Sequence, residues 1–263
     1  MNSLLSRHNL ITIQRIVGRE LQTRVAGTWL GLLHFAITPL FFLLVYAYVF
    51  SSVFVTRWAG STDAFGSFAL RLYVGLIAYQ FFAEVVTRSS GLILENPSYV
   101  KKIVFPLDIL TPAAIAFSLV TAALSCAVFV VGHLFFNGLM PLSAIAALLY
   151  FPPLIFMVAG LSWLLSAFGV FLRDLNQIVT TLTPTLMFIS PIFYPASAVP
   201  DHFKAVLKFN PLAFVIEGAR AAIFEVQWPN PVEIGLAYLL SFAFAWFGLA
   251  FFRRLKGAFA DVV

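Results

Sequence analysis

The side chains that could perform chemistry are few, and their spacing limits what that chemistry could be. An ATP-hydrolysing phosphate loop needs close glycines and a lysine followed by serine or threonine, and no lysine here has such a neighbour. The four histidines are dispersed without the i, i+4 spacing of a zinc helix, and Cys126 lies in an apolar run that favours packing. The carboxylates form no acid and base pair within an apolar run. The sequence therefore predicts no catalytic residue, no metal site and no cofactor bound by this chain.

A mixed polar and apolar stretch ending at Pro106 is the best candidate for a contact with another protein. Its prolines limit it to a short helix, of a kind that can project from a membrane and dock on a partner. The alternative is a solvated loop whose lysines only mark the cytoplasmic side. The docking candidates are Glu95, Asn96, Ser98, Tyr99, Val100, Lys101 and Lys102.

A second polar feature is the pair Arg173 and Asp174, which follows an uncharged run of more than sixty residues. Two charges at the end of a long apolar run can be a functional site. They can equally be an ordinary anchor at the membrane interface. The sequence leaves both interpretations open.

The composition requires a membrane around these candidates. Hydrophobic residues make up 61% of the chain and charged residues only 10%, against about 25% charge in a typical soluble domain. The net charge of +5 comes from residues spread between apolar runs rather than gathered in one patch, which argues against a nucleic-acid partner. The single cysteine excludes an intrachain disulfide. The N-terminal segment lacks the features of a signal peptide, so we expect it to be retained.

The apolar runs predict an all-α integral membrane protein with six transmembrane helices per protomer. Asn137, Gly138 and Pro141 divide the longest run into two spans. Pro184, together with prolines at 191 and 195, should shorten or break the fifth helix. The predicted spans cover about residues 30–53, 66–92, 109–135, 142–171, 175–195 and 234–252.

The basic residues predict the orientation of these spans. Six crossings place both termini on one side, and cytoplasmic loops collect Lys and Arg. With the N-terminus in the cytoplasm, eleven basic residues lie inside and five outside. Both termini are therefore predicted to be cytoplasmic.

Two further segments do not read as simple loops. In the N-terminal unit, 1–28, Leu10, Ile13 and related positions fall on one helical face, which predicts an amphipathic helix in the cytoplasmic interface. The outer segment 196–232 is too polar to cross the membrane and too apolar to hang in solvent. It predicts short re-entrant or interfacial helices before the last span. No internal repeat is visible, which weakens an inverted-repeat secondary transporter.

Several short motifs follow one another in a fixed order along nearly the whole chain, and together they suggest a family. The chain resembles the permease subunit of ABC-2 type exporters, most closely those for lipid-linked polysaccharides such as O antigens, capsules and teichoic acids. A departure is His34-Phe35, where family members commonly have a Trp-containing pair. The motifs are Arg19-Glu20-Leu21, Glu95-Asn96, Val100-Lys101-Lys102, Phe105-Pro106-Leu107, Phe171-Leu172-Arg173-Asp174, Ser190-Pro191-Ile192-Phe193-Tyr194-Pro195, Asn210-Pro211 and Arg253-Arg254-Leu255.

The resemblance implies partners and a cell compartment. It implies a homodimer in the bacterial inner membrane, bound to two copies of a separate ABC ATPase that uses ATP and Mg²⁺. Residues 93–107 would form the coupling loop of a transmembrane domain, 29–263, with the N-terminal helix beside it. The cargo, a lipid-linked polysaccharide, would pass between the protomers.

The resemblance also suggests residues that contact the cargo. Aromatic residues make up 16% of the chain, and their rings can pack on the apolar faces of sugars. Phe193 and Tyr194 are the candidates for a periplasmic gate, because prolines flank them near the outer mouth. Arg15, Arg19 and Arg24 are candidates to hold the diphosphate of the lipid carrier.

Three alternatives remain open on sequence grounds. A small-molecule or drug exporter of the same family would have the same spans, but often with a larger outer domain. A membrane enzyme acting on lipid-linked sugars would need a clustered acidic or metal-binding motif. A proton-coupled carrier would depend on Glu84, the one attractive carboxylate near the membrane.

Overall fold

The computed structural model describes residues 6–26, 65–100, 105–172 and 174–262, together with single positions between 37 and 49. Secondary structure in these parts is helical, without a strand among them, which confirms the all-α prediction. Short 3-10 helices lie at Leu107–Ile109, Leu142–Leu149, Ala196–Ala198 and Lys256–Asp261. The α-helices are α1 (Arg7–Ala26), α2 (Phe65–Ser89), α3 (Pro97–Val100), α4 (Leu110–Asn137), α5 (Phe151–Phe171), α6 (Leu175–Ile189), α7 (Asp201–Phe209), α8 (Pro211–Phe224) and α9 (Pro231–Leu255).

Four helical segments in the described part of the chain are long and apolar enough to cross a membrane. They match the second, third, fourth and sixth predicted spans, with boundaries that differ by at most three residues except at the end of the last span, which extends seven residues farther. A crossing needs about 20 apolar residues, and each segment exceeds that length. They are Gly66–Ser89, Leu107–Asn137, Leu142–Phe171 and Pro231–Phe259.

The two remaining predicted spans have different outcomes. Helix α6 has 15 residues, fewer than the roughly 20 of a straight crossing, and covers the predicted span 175–195 only in part. It ends at Ile189 because Ser190 is extended in front of Pro191, whereas Pro184 lies inside the helix without ending it. The first span, about 30–53, lies mostly outside the described residues. The count of six spans therefore stays a prediction.

Helix α2 forms the centre of the bundle. It packs against α4, α5, α6 and α8, and 78% of its apolar stretch is buried, against 22% for the last span. Leu72, Tyr73 and Val85 on this helix have no exposed surface. Helices α1 and α3 lie at one end of α2, here the α3 end, and α7 and α8 lie at the other, the α7 end.

Helices α5 and α9 form the tightest pair in the described bundle. A Cβ on Gly248 would overlap the backbone of Gly160, and a Cβ on Gly160 would lie 2.7 Å from the carbonyl oxygen of Phe244. In membranes, small residues at the crossing let backbones approach and gain van der Waals contact. The two glycines are therefore required by the close approach of α5 and α9.

Serine and threonine hydroxyls join the other spans inside the bundle. Ser89 Oγ donates to Ser162 Oγ at 2.7 Å, and Ser162 donates to Thr111 Oγ1 at 3.3 Å. Ser166 Oγ donates to the carbonyl of Ser89 at 2.8 Å. Such hydrogen bonds hold membrane helices together where apolar burial against lipid gives little driving force. They fix α2, α4 and α5 near the α3 end.

The predicted N-terminal helix is present as α1, and it packs against α4. Ile13 and Ile16 pack against the bundle, whereas Leu10 and Ile11 are 43% and 48% exposed. The apolar surface of α1 is thus divided between the bundle and the outside. Its position in the cytoplasmic interface stays a prediction.

The segment predicted as re-entrant, 196–232, contains α7 and α8. Asn210 separates these helices, and its side chain accepts a hydrogen bond from the amide of Leu212 at 2.9 Å. That bond caps α8, and Pro211 occupies the first helical position, where no donor is lost. The helices are present as predicted, and their depth in the membrane stays a prediction.

Candidate functional site

The predicted docking stretch folds as a short projection. Helix α3 follows a tight turn in which the Asn96 side chain donates to the carbonyl of Leu92 at 3.0 Å. Glu95 and Ser98 are exposed, whereas the ring of Tyr99 is half-buried and stacks on Phe105, with centroids 4.3 Å apart. Val100 ends the helix. Lys101 and Lys102 lie outside the described residues.

A hydrogen bond joins this projection to α1. Arg19 Nη2 donates to the hydroxyl of Tyr99 at 3.2 Å. Because Phe105 supports the other side of the Tyr99 ring, the ring is held between α1 and the start of the next span. A displacement of α3 would therefore pull on α1.

A second connection joins α1 to α2 through charges, in a group that we name the α3-end charge cluster. Arg88 of α2 pairs with Glu20 of α1 at 2.7 Å, and Arg24 lies 3.5 Å from the same carboxylate. All of its charged side chains are between 20% and 43% exposed. Its members are Glu20, Arg24, Glu84, Arg88, Phe117 and Thr121.

The same cluster holds Glu84, the candidate for a proton-coupled carrier. Arg24 Nη1 lies 3.4 Å from one carboxylate oxygen, and the hydroxyl of Thr121 donates to the other at 2.8 Å. The Arg24 guanidinium also lies over the ring of Phe117, 4.5 Å from its centroid. Glu84 is thus one partner of an ion pair and accepts a hydrogen bond from α4, and its role in a proton-coupled carrier stays a prediction.

The three arginines proposed for the diphosphate have different surroundings. Arg19 contacts Tyr99, and Arg24 contacts the two carboxylates of the cluster. Arg15 is exposed. The structure does not bring the three guanidinium groups to a shared point, and their role at a lipid diphosphate stays a prediction.

The ion pair between Asp108 and Arg253 at the α3 end was not predicted from the sequence. Asp108 is 4% exposed, and Arg253 of α9 donates to its Oδ2 from Nε at 2.9 Å and from Nη2 at 2.7 Å. Trp163 Nε1 donates to the backbone carbonyl of Asp108 at 3.2 Å. The only signal was an aspartate directly before a long uncharged run. The pair ties the end of the docking stretch to the last span.

The charged pair after α5 is only partly described. Arg173 lies outside the described residues, and Asp174 is exposed at the start of α6. The next turn is attached to α2, because Ser90 Oγ donates to Asn176 Oδ1 at 2.9 Å. Both predicted roles of Asp174, as a functional residue and as an anchor at the membrane interface, stay predictions.

At the α7 end, one buried arginine holds the proline-flanked loop. Arg220 of α8 is 2% exposed. Its guanidinium donates to the carbonyls of Pro191 and, at 2.6 Å, Ile192, and its Nε donates to that of Arg71 at 2.9 Å. Glu217 accepts at 2.9 Å. Burial lowers the pKa of Arg220 to about 10, so the group stays charged near neutral pH.

The candidate gate residues sit in this loop. Phe193 is 3% exposed and packs beside Phe188 with ring centroids 5.7 Å apart. The Tyr194 hydroxyl donates to the carbonyl of Phe188 at 3.0 Å. A cavity of about 380 Å³ lies between Tyr194 and the apolar side of α7. Phe193 is thus a packing residue in this chain, and the gate role of both side chains stays a prediction.

Helix α6 carries an exposed polar face that the sequence reasoning did not single out. Val179 and Thr183 are buried, whereas Gln177, Thr181 and Thr185 are exposed on the opposite side. The hydroxyl of Thr181 donates to the carbonyl of Gln177 at 2.8 Å. A hydroxyl that donates to its own helix still presents acceptor lone pairs outward. The exposed side of α6 therefore combines hydrogen-bonding groups with apolar side chains such as Phe188, which is 61% exposed.

The comparisons with known proteins agree with a transport function. The family model for the ABC-2 type transporter matches residues 12–224. An O-antigen export system permease protein RfbA from Klebsiella pneumoniae is 26% identical over 94% of this chain and 93% of its own length. A protein of the same name from Myxococcus xanthus is 24% identical over 94% of each chain. The polysialic acid transport protein KpsM from Escherichia coli is 23% identical over 94% of this chain and 95% of its own. Together with the four apolar helices, these matches identify a multi-pass membrane protein.

Proposed function

Because the chain belongs to the ABC-2 type transporter family, we propose that it is the permease subunit of an ATP-driven exporter for a lipid-linked polysaccharide. The relatives are named for O-antigen export and polysialic acid transport, and they match over nearly their whole length. The outer segments are short, which favours this cargo over a drug exporter with a larger outer domain. The cargo would be of O-antigen or capsule type.

The polar face of α6 is the observation that supports this function best. Exposed amides and hydroxyls are unfavourable against lipid, so Gln177 and Thr181 are better placed beside water, sugar or a second copy of the chain. Sugars carry many hydroxyl groups, and acceptor oxygens along one helix can exchange hydrogen bonds with successive residues of a sliding polymer. We place this face along a conduit between two copies of the chain.

The contacts at the α3 end support coupling to a separate ATPase. With this end in the cytoplasm, the exposed side of α3 would dock on one of two ABC ATPase subunits, which bind ATP and Mg²⁺. Movement of α3 would reach α1 through Arg19 and Tyr99, and α2 through Glu20 and Arg88. The whole assembly would lie in the bacterial inner membrane, with six spans per protomer and both termini in the cytoplasm.

The experiment uses a producing strain whose own copy of this gene is deleted, complemented with variants of the chain. Wild type should restore polymer at the cell surface, and the double variant Gln177→Leu, Thr181→Leu should leave it inside the cell. The control is Ile178→Leu on the same helix, at an apolar position that is 51% exposed, and it should export normally. Surface polymer and intracellular lipid-linked polymer are measured on the same cells.

Two outcomes would each contradict one part of this proposal, either the cargo assignment or the role of the α6 face. If deletion leaves surface polymer unchanged but alters resistance to small toxic compounds, the cargo assignment is wrong. If deletion blocks export but the double variant restores it fully, the polymer does not depend on the α6 face.

A further inference from the structure

A groove of about 790 Å³ lies at the α7 end, between α7, α5 and α9. Ligand clefts in proteins typically measure about 300–1,000 Å³. Along α9 the groove follows a single helical face, at residues 233, 236, 237, 240, 241 and 244. This stripe extends over eleven residue steps, or about 16 Å at the helical rise. The opposite wall comes from Pro153, Leu154 and Met157 of α5.

The groove is polar at its mouth and apolar along its depth. Lys208 of α7 and Glu233 of α9 line it at the α7 end, whereas Met157, Leu240 and Phe244 line the part farther from that end. Leu240 is 60% exposed, so the groove is also open sideways, toward the acyl chains of the surrounding bilayer. A headgroup at the mouth and a chain along α9 would match this arrangement.

The charged side chains at the mouth determine which lipid headgroups could bind there. Four charged side chains line the groove, and two of them are already paired: Lys204 with Asp201 at 2.7 Å, and Glu217 with Arg220 at 2.9 Å. Lys208 and Glu233 take part in no ion pair with another described residue. Glu233 accepts a hydrogen bond from the side-chain amide of Asn230 at 3.3 Å. The mouth therefore presents one cation and one anion outside any ion pair among the described residues, on different helices.

We propose that this groove binds a phospholipid whose headgroup carries both a phosphate and a primary ammonium, such as phosphatidylethanolamine. Its phosphate would contact Lys208, its ammonium would donate to Glu233, and one acyl chain would lie along α9. A choline headgroup has the same charges but no N–H to donate to the carboxylate. A glycerol headgroup, or a diphosphate-linked carrier, has no cation for Glu233.

The test measures which lipids stay on the purified full-length protein. The protein is exposed to an equimolar mixture of phosphatidylethanolamine, phosphatidylcholine and phosphatidylglycerol in detergent micelles, and bound lipid is counted by native mass spectrometry. Wild type should retain phosphatidylethanolamine most strongly. Glu233→Gln should remove the preference over phosphatidylcholine, and Lys208→Gln should lower retention of all three lipids about fivefold, as expected for a partly exposed charge contact.

Two further variants separate the site from general effects of charge and stability. Ala237→Trp places a ring in the apolar part of the groove, leaves both charges in place, and should abolish retention. Glu225→Gln is the control, since Glu225 is exposed at the end of α8 and does not line the groove. It should behave as wild type.

The possible results each decide the proposal. Equal retention of the three lipids by wild type would mean that detergent-resistant lipid binds without a headgroup site, and a preference for phosphatidylglycerol would mean that the lysines act alone. Either result overturns the inference, as does undiminished retention by Ala237→Trp. Ala237→Trp and Glu233→Gln change different parts of the groove. If one of the two proteins does not insert into the membrane, the other still tests the proposal.

Discussion

The two ends of α2 are both held by arginines, but the arginines have different partners. At the α7 end, Arg220 is buried and donates to three backbone carbonyls. At the α3 end, Arg24 and Arg88 meet carboxylate side chains and remain partly exposed. A backbone carbonyl cannot turn away from its donor unless the chain moves, whereas two side chains can exchange partners by rotation. The comparison indicates a fixed frame at the α7 end and, at the α3 end, an adjustable joint between α1 and α2.

The largest effect is expected from Arg220→Ala. Removing the guanidinium leaves the carbonyls of Pro191, Ile192 and Arg71 buried without this donor, at a cost of about 1–3 kcal/mol for each group left unsatisfied. The thermal unfolding temperature in detergent should fall strongly, and membrane expression should fall with it. Arg220→Lys should recover only part of this, because an ammonium lacks the planar fork of donors. A stable Arg220→Ala protein would mean that the α7 end is not a fixed frame.

Glu20→Gln is expected to reduce stability less than Arg220→Ala does. Its main effect should be on the coupling between ATP hydrolysis and transport. Arg88 would lose its charged partner, although exposed ion pairs typically contribute only about 0–1 kcal/mol. The unfolding temperature should therefore change little. Under the proposed function, polymer-dependent ATP hydrolysis by a complex of this chain with an ABC ATPase should decrease, with assembly of the complex intact. The control is Glu225→Gln at the α7 end, where no decrease is expected. Normal coupling in Glu20→Gln would remove the charge cluster from the transmission of movement.

The smallest structural change is Tyr99→Phe. It removes the acceptor for Arg19 and keeps the ring that stacks on Phe105, so a change in stability below about 1 kcal/mol is expected, as for one partly exposed hydrogen bond. ATP hydrolysis coupled to export should fall, while membrane insertion stays normal. Tyr99→Ala also removes the stacked ring and should lower binding of the ATPase as well. If Tyr99→Phe and wild type couple equally, the bond between α1 and α3 carries no signal.

The sequence could predict features that depend on neighbouring residues, but not contacts between residues far apart in the chain. Long apolar runs predicted four of the spans because membrane crossing depends on length and composition, which are local properties. The proline-flanked loop was also predictable, since Pro191 constrains its neighbours wherever it occurs. The role of Arg220 was not predictable, because its acceptors are backbone carbonyls that any residue type supplies, up to 149 positions away.

The candidate site shows the same limit. Tyr99 was identified from its place in a proline-bounded stretch, but its partner Arg19 is 80 residues distant and had been proposed for a lipid diphosphate instead. Glu84 appeared to be isolated in the second span, because the sequence does not show that Arg24 and Thr121 converge on it. Residue type and local order supplied the candidate side chains, whereas their contact partners depended on packing.

The glycine contact between α5 and α9 determines where this molecule can bend. At Gly160 and Gly248 the two backbones are in direct contact, without side chains between them. At the α3 end, Arg253 of α9 forms an ion pair with Asp108. We therefore expect the two spans to shift together, with an opening hinged elsewhere. Helix α6 is exposed along much of its length and belongs to neither span of this pair, so movement is expected there rather than in the loop that Arg220 holds.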